Sequence, residues 1–144
     1  MRDFERPLKE RGRDAAGRIG KRLAAEKLSM PLVICSPAVR TRETLEIVLK
    51  SSGLHVEEHF DERIYEASLR DLLEVVSEIQ DDKDVVILIG HNPGFQELLA
   101  FLTGESRRMP TCALAKIKLE RWKGVRIGEG SLEWFITPQE LPED

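Results

Sequence analysis

The chain has 144 residues, 41% hydrophobic and 33% charged, which suits one soluble domain over residues 1–144 with a sizeable core. Its formal net charge of −4 argues against a nucleic-acid partner, and no apolar run approaches the roughly 18 residues of a membrane span. Cys35 and Cys112 are far apart and form no C-x-x-C, so neither a disulfide framework nor a cysteine metal site is expected; two such thiols fit a reducing cytoplasm.

Residues 1–12, with Phe4, Pro7-Leu8 and Gly12, read as an irregular lead-in. Arg13–Leu28 follows as a helix with Ala16, Ile19, Leu23 and Ala24 on one face. Gly17 and Gly20 weaken it, so close packing against a neighbour is their expected use. Leu32-Val33-Ile34-Cys35 is a short buried strand that breaks into a helix start, with Ser36 as the expected N-cap and Pro37 at the first helical position. Arg40 and Arg42 oppose the helix dipole there, and an anion held between the helix N-terminus and a guanidinium would supply the reason. Solvated surface arginines remain the plain alternative.

Leu54–Phe60 reads as an exposed, partly alternating strand. It contains H-x-x-E-H at His55–His59, but in a strand the two histidines stand roughly 13 Å apart at about 3.3 Å per residue, so no zinc site is expected. Asp61–Ala67 is a loop, and Ser68 with Asp71 forms a capping-box pattern before a helix carrying Leu69, Leu72, Leu73, Val76 and Ile79. Val85–Gly90 is dense in β-branched residues and reads as a central strand buried on both faces. It delivers His91-Asn92-Pro93-Gly94 to the start of a helix running to about Leu102. Cys112–Leu119 and Ser131–Thr137 alternate as an antiparallel pair at one sheet edge, and 138–144 reads as an acidic tail.

Two buried strands therefore end in polar turns that start helices. If they are parallel neighbours, Arg40 and His91 meet in one crevice beside two helix N-termini, a cradle for a phosphate. Residues 1–44 carry eleven Lys or Arg against six acids, which leaves two readings open, solvated helix faces or a basic mouth. A Walker loop is absent. Cysteine phosphatases place five residues between nucleophile and arginine, whereas Cys35 offers four to Arg40 and six to Arg42. No carboxylate–histidine cluster points to a metal, and no cofactor is expected.

Ser36-Pro37-x-x-Arg40-x-x-x-Thr44 and Gly90-His91-Asn92-Pro93-Gly94, preceded by Arg6-Pro7-Leu8-x-x-x-Gly12, resemble the histidine phosphatase (phosphoglycerate mutase-like) superfamily, and within it the small SixA-like phosphohistidine phosphatases. The resemblance covers nearly the whole chain. It implies a three-layer α/β/α sandwich with a mostly parallel sheet and an antiparallel edge. It also implies phosphoryl transfer through a phosphohistidine intermediate. Arg40 would be the phosphate arginine and His91 the supporting histidine. Arg6 and Asn92 would border the phosphate, and Glu66 falls where larger relatives carry a general acid. The short 61–68 segment leaves no room for a cap, so the implied substrate is a phosphohistidine on a protein surface, with a small phosphomonoester as the alternative. The family's nucleophile ends its first strand in Arg-His-Gly. This sequence has no such triplet and opens at Met1-Arg2-Asp3-Phe4, where that strand would already have finished. A start that leaves the strand out and a member that binds phosphate without turning it over both remain open, and turnover by the family mechanism is not expected of the chain as written.

Overall fold

The computed structural model describes residues 1–141. Three parallel strands, β1 (Leu32–Cys35), β2 (Glu57–Phe60) and β3 (Val86–Ile89), form a sheet in the order β2-β1-β3. A separate antiparallel pair, β4 (Leu114–Lys118) and β5 (Ser131–Ile136), makes a second sheet. The α-helices among the described residues are α1 (Glu10–Ala24), α2 (Val39–Ser52), α3 (Leu69–Ser77) and α4 (Gly94–Thr103).

The alternation of side chains along a strand builds the layers. Val33 and Cys35 point to one face of the parallel sheet and pack with Leu45 of α2, Ile87 and Ile89. Leu32 and Ile34 point to the other, into the cluster of Leu72, Val75 and Val76 from α3 and Leu98 and Leu102 from α4. α1 lies against α2 through Ala16, Ile19, Leu23 and Val48. Helices thus cover both faces of the sheet.

Several expectations need correcting. α1 starts at Glu10, three residues earlier than the periodicity placed it, because Lys9 is extended and Leu8 folds its side chain onto Gly12. It stops at Ala24, and Lys27 takes a left-handed backbone that closes the following turn; Ala24 is exposed. β2 begins at Glu57 and is exposed along its whole length. β3 is half-buried rather than buried, because among the described residues it pairs only with β1 and no strand lies along its other edge. For the same reason the antiparallel pair is a sheet of its own, not an edge of the first. Of the tail expected over 138–144, residues 142–144 lie outside the described residues; Pro138–Glu140 is a turn whose Pro138 carbonyl accepts from Arg18 at 3.1 Å. The capping box is present as read, with Ser68 and Asp71 exchanging hydrogen bonds at 3.1 Å.

The two helix glycines differ. A Cβ on Gly20 would overlap the Ser51 hydroxyl and lie 2.9 Å from the Val48 carbonyl oxygen of α2, whereas a Cβ on Gly17 would meet nothing within 4 Å. Gly17→Ala is therefore expected to stabilise the fold by up to about 1 kcal/mol through helix propensity. Gly20→Ala should destabilise it by about 1–3 kcal/mol, as overpacking does. Urea denaturation of both variants checks the opposite signs.

Register positions the site. Cys35 pairs with Ile89, and the Ser36 amide donates to the Ile89 carbonyl at 2.9 Å, so the turns that follow β1 and β3 leave the sheet side by side. Gly90 permits this closeness: a Cβ there would sit 2.5 Å from the Phe95 ring.

Candidate functional site

The turn after β1 runs Ser36-Pro37-Ala38. Ser36 is fully buried and does not cap the helix as expected; α2 begins after Ala38, and the Ser36 hydroxyl accepts the Ala38 amide at 3.3 Å. Thr41 ties the turn back, donating to the carbonyls of Ser36 at 2.8 Å and Ala38 at 2.9 Å. This closed turn aims Arg40, in the first turn of α2, at the end of β3.

His91 meets it there. Arg40 Nη2 lies 3.2 Å from His91 Nδ1, and His91 Nε2 lies 2.7 Å from Ser36 Oγ. A guanidinium only donates, so Nδ1 accepts, and the neutral ring carries its proton on Nε2 toward the serine. Burial, with the Arg40 charge adding to it, pushes the His91 pKa down to about 4. The imidazole is thus neutral at ordinary pH, in one tautomer, with both nitrogens engaged.

Two further residues complete the cluster, and sequence reading found neither. Tyr65 stacks edge-on against His91, with ring centroids 5.4 Å apart, and against Phe4 at 5.1 Å. Its hydroxyl donates to Asp3 Oδ2 at 2.6 Å. Asp3 also accepts from Arg40 Nη2 at 3.2 Å and from Arg6 Nη2 at 3.0 Å. The Tyr65 hydrogen bond, aided by Arg6 and Arg40, holds the Asp3 carboxyl down to about 2, and Asp3 in turn raises the Tyr65 pKa.

The remaining expected residues are placed as follows. Arg6 reaches the cluster through Asp3. Glu66 is exposed, has a left-handed backbone with φ of 53°, and lines an open cleft beside the cluster with Glu62, Phe4, Pro37 and Tyr65. The Asn92 side chain is used for structure: Oδ1 accepts the Gln96 amide at 3.1 Å, and Nδ2 donates to the Met109 carbonyl. Arg42 lies over the Phe60 ring, 5.1 Å from its centroid. A second open cleft, at the end of α3 near Gln80 and Lys123, holds none of these groups. Cys35 is buried and burial pushes its thiol up to about 12, the opposite of an activated nucleophile. His55 and His59 are exposed, His59 bonding Glu57 at 3.0 Å, and the described residues contain no cluster able to hold a metal.

The arrangement is a strand-end crevice in which a guanidinium, a neutral histidine and a phenol lie side by side, with Arg40 and Tyr65 both donating to the Asp3 carboxylate. Its likeness to known proteins is specific. The family model of the histidine phosphatase superfamily (branch 1) matches residues 2–86. An uncharacterized protein of Mycobacterium tuberculosis is 29% identical over 95% of this chain and 92% of its own length. An uncharacterized chloroplastic protein of Arabidopsis thaliana is 28% identical over 99% of this chain and 71% of its own. Among solved structures, a putative phosphohistidine phosphatase SixA from Agrobacterium tumefaciens superposes with a TM-score of 0.82 at 25% identity, over 96% of this chain and 87% of that one. The protein histidine phosphatase SixA complexed with tungstate superposes with a TM-score of 0.83 at 24% identity, over 96% and 88%.

Proposed function

The chain belongs to the histidine phosphatase superfamily, and from that premise we propose that its crevice receives the phosphoryl group of a phosphorylated protein, a phosphohistidine. The observation that carries the reading is the meeting of the Arg40 guanidinium and the His91 imidazole, 3.2 Å apart at the carboxyl ends of two adjacent parallel strands. A guanidinium beside a helix N-terminus fits three phosphoryl oxygens, and the tungstate held by a SixA of the same fold is a tetrahedral oxyanion of similar size and charge. Arg40 takes the largest share of the charge. His91 exchanges its Ser36 partner for a phosphoryl oxygen, turning the Nε2–H to it as charge builds, Arg6 borders the group, and Glu66 on the open cleft protonates the leaving group. The segment between β2 and α3, residues 61–68, holds only the short turn Glu62–Ile64 and leaves the crevice open to a protein surface. A cytoplasmic signalling setting fits a chain with two free thiols.

The family reaction needs a histidine nucleophile. The sequence has no Arg-His-Gly, His55 and His59 are exposed and apart from the crevice, and the lone-pair nitrogen of His91, Nδ1, accepts from Arg40. The engagement of His91 Nδ1 by Arg40 favours a second reading beside the enzyme, a module that binds a phosphorylated partner without turning it over.

One assay separates them. Phosphate release from phosphohistidine at neutral pH is expected to stay at background with this chain, and to exceed it at least about 100-fold with a form extended by an apolar strand ending in Arg-His-Gly. Release by the unextended chain would overturn the claim that a nucleophile is lacking. No release by the extended form would sink the phosphatase reading in favour of the binding module. Faster release from a simple aryl phosphate than from phosphohistidine would move the substrate to small phosphomonoesters.

A further inference from the structure

An anion already stands in the crevice, and it belongs to the chain. The Asp3 carboxylate accepts from the Arg40 guanidinium at 3.2 Å, from the Arg6 guanidinium at 3.0 Å and from the Tyr65 hydroxyl at 2.6 Å, and the Asp3 carbonyl accepts from Arg40 Nη1 at 3.0 Å. Two guanidinium groups and a phenol around one pair of oxygens are the donor set that would hold a phosphoryl group. Arg40 cannot present the same N–H groups to Asp3 and to a ligand, and a second anion brought against an unmoved carboxylate would meet like-charge repulsion in a partly desolvated crevice.

The segment bearing Asp3 is built to leave. Asp3–Glu5 is a single 3-10 turn with no buried residue, and the Asp3 side chain is half exposed. Phe4 packs edge-on against Tyr65, with ring centroids 5.1 Å apart, and ties the turn to the body of the fold. Protonation does not open the site, because the same donors keep the carboxyl charged down to a pKa of about 2.

We propose that Asp3 is the resident anion of the crevice, and that an incoming phosphoryl group displaces it and takes over Arg40, Arg6 and the Tyr65 hydroxyl. Tyr65 is then a ligand-binding residue, and the Asp3–Glu5 turn is an internal competitor that sets the affinity threshold. This rests on the reading of the crevice as a phosphoryl site.

The test titrates inorganic phosphate at pH 7 into the full chain and into Asp3→Asn, Asp3→Asn/Tyr65→Phe and Arg40→Ala, by calorimetry, with a thermal melt of each. Asp3→Asn keeps the shape and an acceptor oxygen but removes the charge. It is expected to bind phosphate about tenfold tighter or more, with Tyr65→Phe in that background giving back about threefold or more. A second measurement needs no variant: saturating phosphate should shift the Phe4 and Glu5 amide resonances of the unaltered chain as the turn is released. If Asp3→Asn binds as the unaltered chain or more weakly while Arg40→Ala loses binding, Asp3 supports Arg40 instead and the proposal falls, with the crevice reading intact. If Arg40→Ala binds phosphate as the unaltered chain does, or if no form binds it, the crevice reading fails and the proposal with it.

Discussion

Arg40→Ala should lose phosphate binding by about 100-fold or more and leave the fold standing. The guanidinium contributes up to two charge-assisted hydrogen bonds to a bound phosphoryl group, each worth about 1.5–3 kcal/mol, and each 1.4 kcal/mol is tenfold in affinity. Against stability the substitution cuts both ways. It removes the donors to Asp3 and to His91 Nδ1, leaving a half-buried imidazole nitrogen without a protein partner. It also removes a cation from the first turn of α2, where the helix dipole disfavours one by about 0.3–1 kcal/mol. The net change in unfolding free energy should stay within about 1–2 kcal/mol. Arg40→Lys should not restore binding, because a compact ammonium cannot present two parallel N–H groups to two phosphoryl oxygens as the planar guanidinium does. Phosphate calorimetry beside a thermal melt checks both halves, and the Asp3→Asn background, with its tighter binding, gives the larger signal. Unchanged affinity in Arg40→Ala would remove Arg40 from the proposed site.

What could be read from the sequence, and what could not, divides by the range of the interactions. β1 and β3 were legible as short β-branched runs, and the Ser68–Asp71 box was legible because its partners lie three residues apart. The meeting of Arg40 and His91 followed from two strand–turn–helix units whose strands run parallel and adjacent, so it needed only topology. Ser36 misled because a local rule, serine before proline at a helix start, competed with a tertiary demand: its hydroxyl is taken by His91, 55 residues away. The burial of β3 was overestimated because an apolar run reports what the side chains prefer and not which strands lie alongside. Asp3 and Tyr65 were out of reach, since a contact across 62 residues between an aperiodic lead-in and a loop leaves no pattern in either. Val75, buried on α3, was passed over because it fell between the periodic positions, although the short helix buries Leu72, Val75 and Val76 together.

Stability should fall as the pH drops from 7 to 5, and His91 should be the cause. Its folded pKa, about 4, lies below the ordinary value of 6.5 that it regains on unfolding. Between those values the unfolded chain binds a proton that the folded chain refuses, so acid favours unfolding. The contribution of the neutral imidazole is fully present above 6.5, declines from there to about 4, and changes no further below that. The full loss is at most about 3 kcal/mol, and by pH 5 about 2 kcal/mol of it should be gone. Burial of the ring fixes the direction; Arg40 on Nδ1 adds to it by repelling an added proton, and Asp3 beyond it opposes that only in part. The carboxylates held low by their partners, Asp3, Glu26, Glu57, Asp61, Glu78 and Glu129, lose their contributions as the pH falls through the usual carboxylate range and below it, so they act in a lower window. Urea denaturation at pH 7 and pH 5 measures the slope, and His91→Gln should flatten it. Saturating phosphate should flatten it too, because an anion in place of the Arg40 contact lets the ring accept a proton in the folded state. A slope that survives His91→Gln would assign the pH dependence to another group.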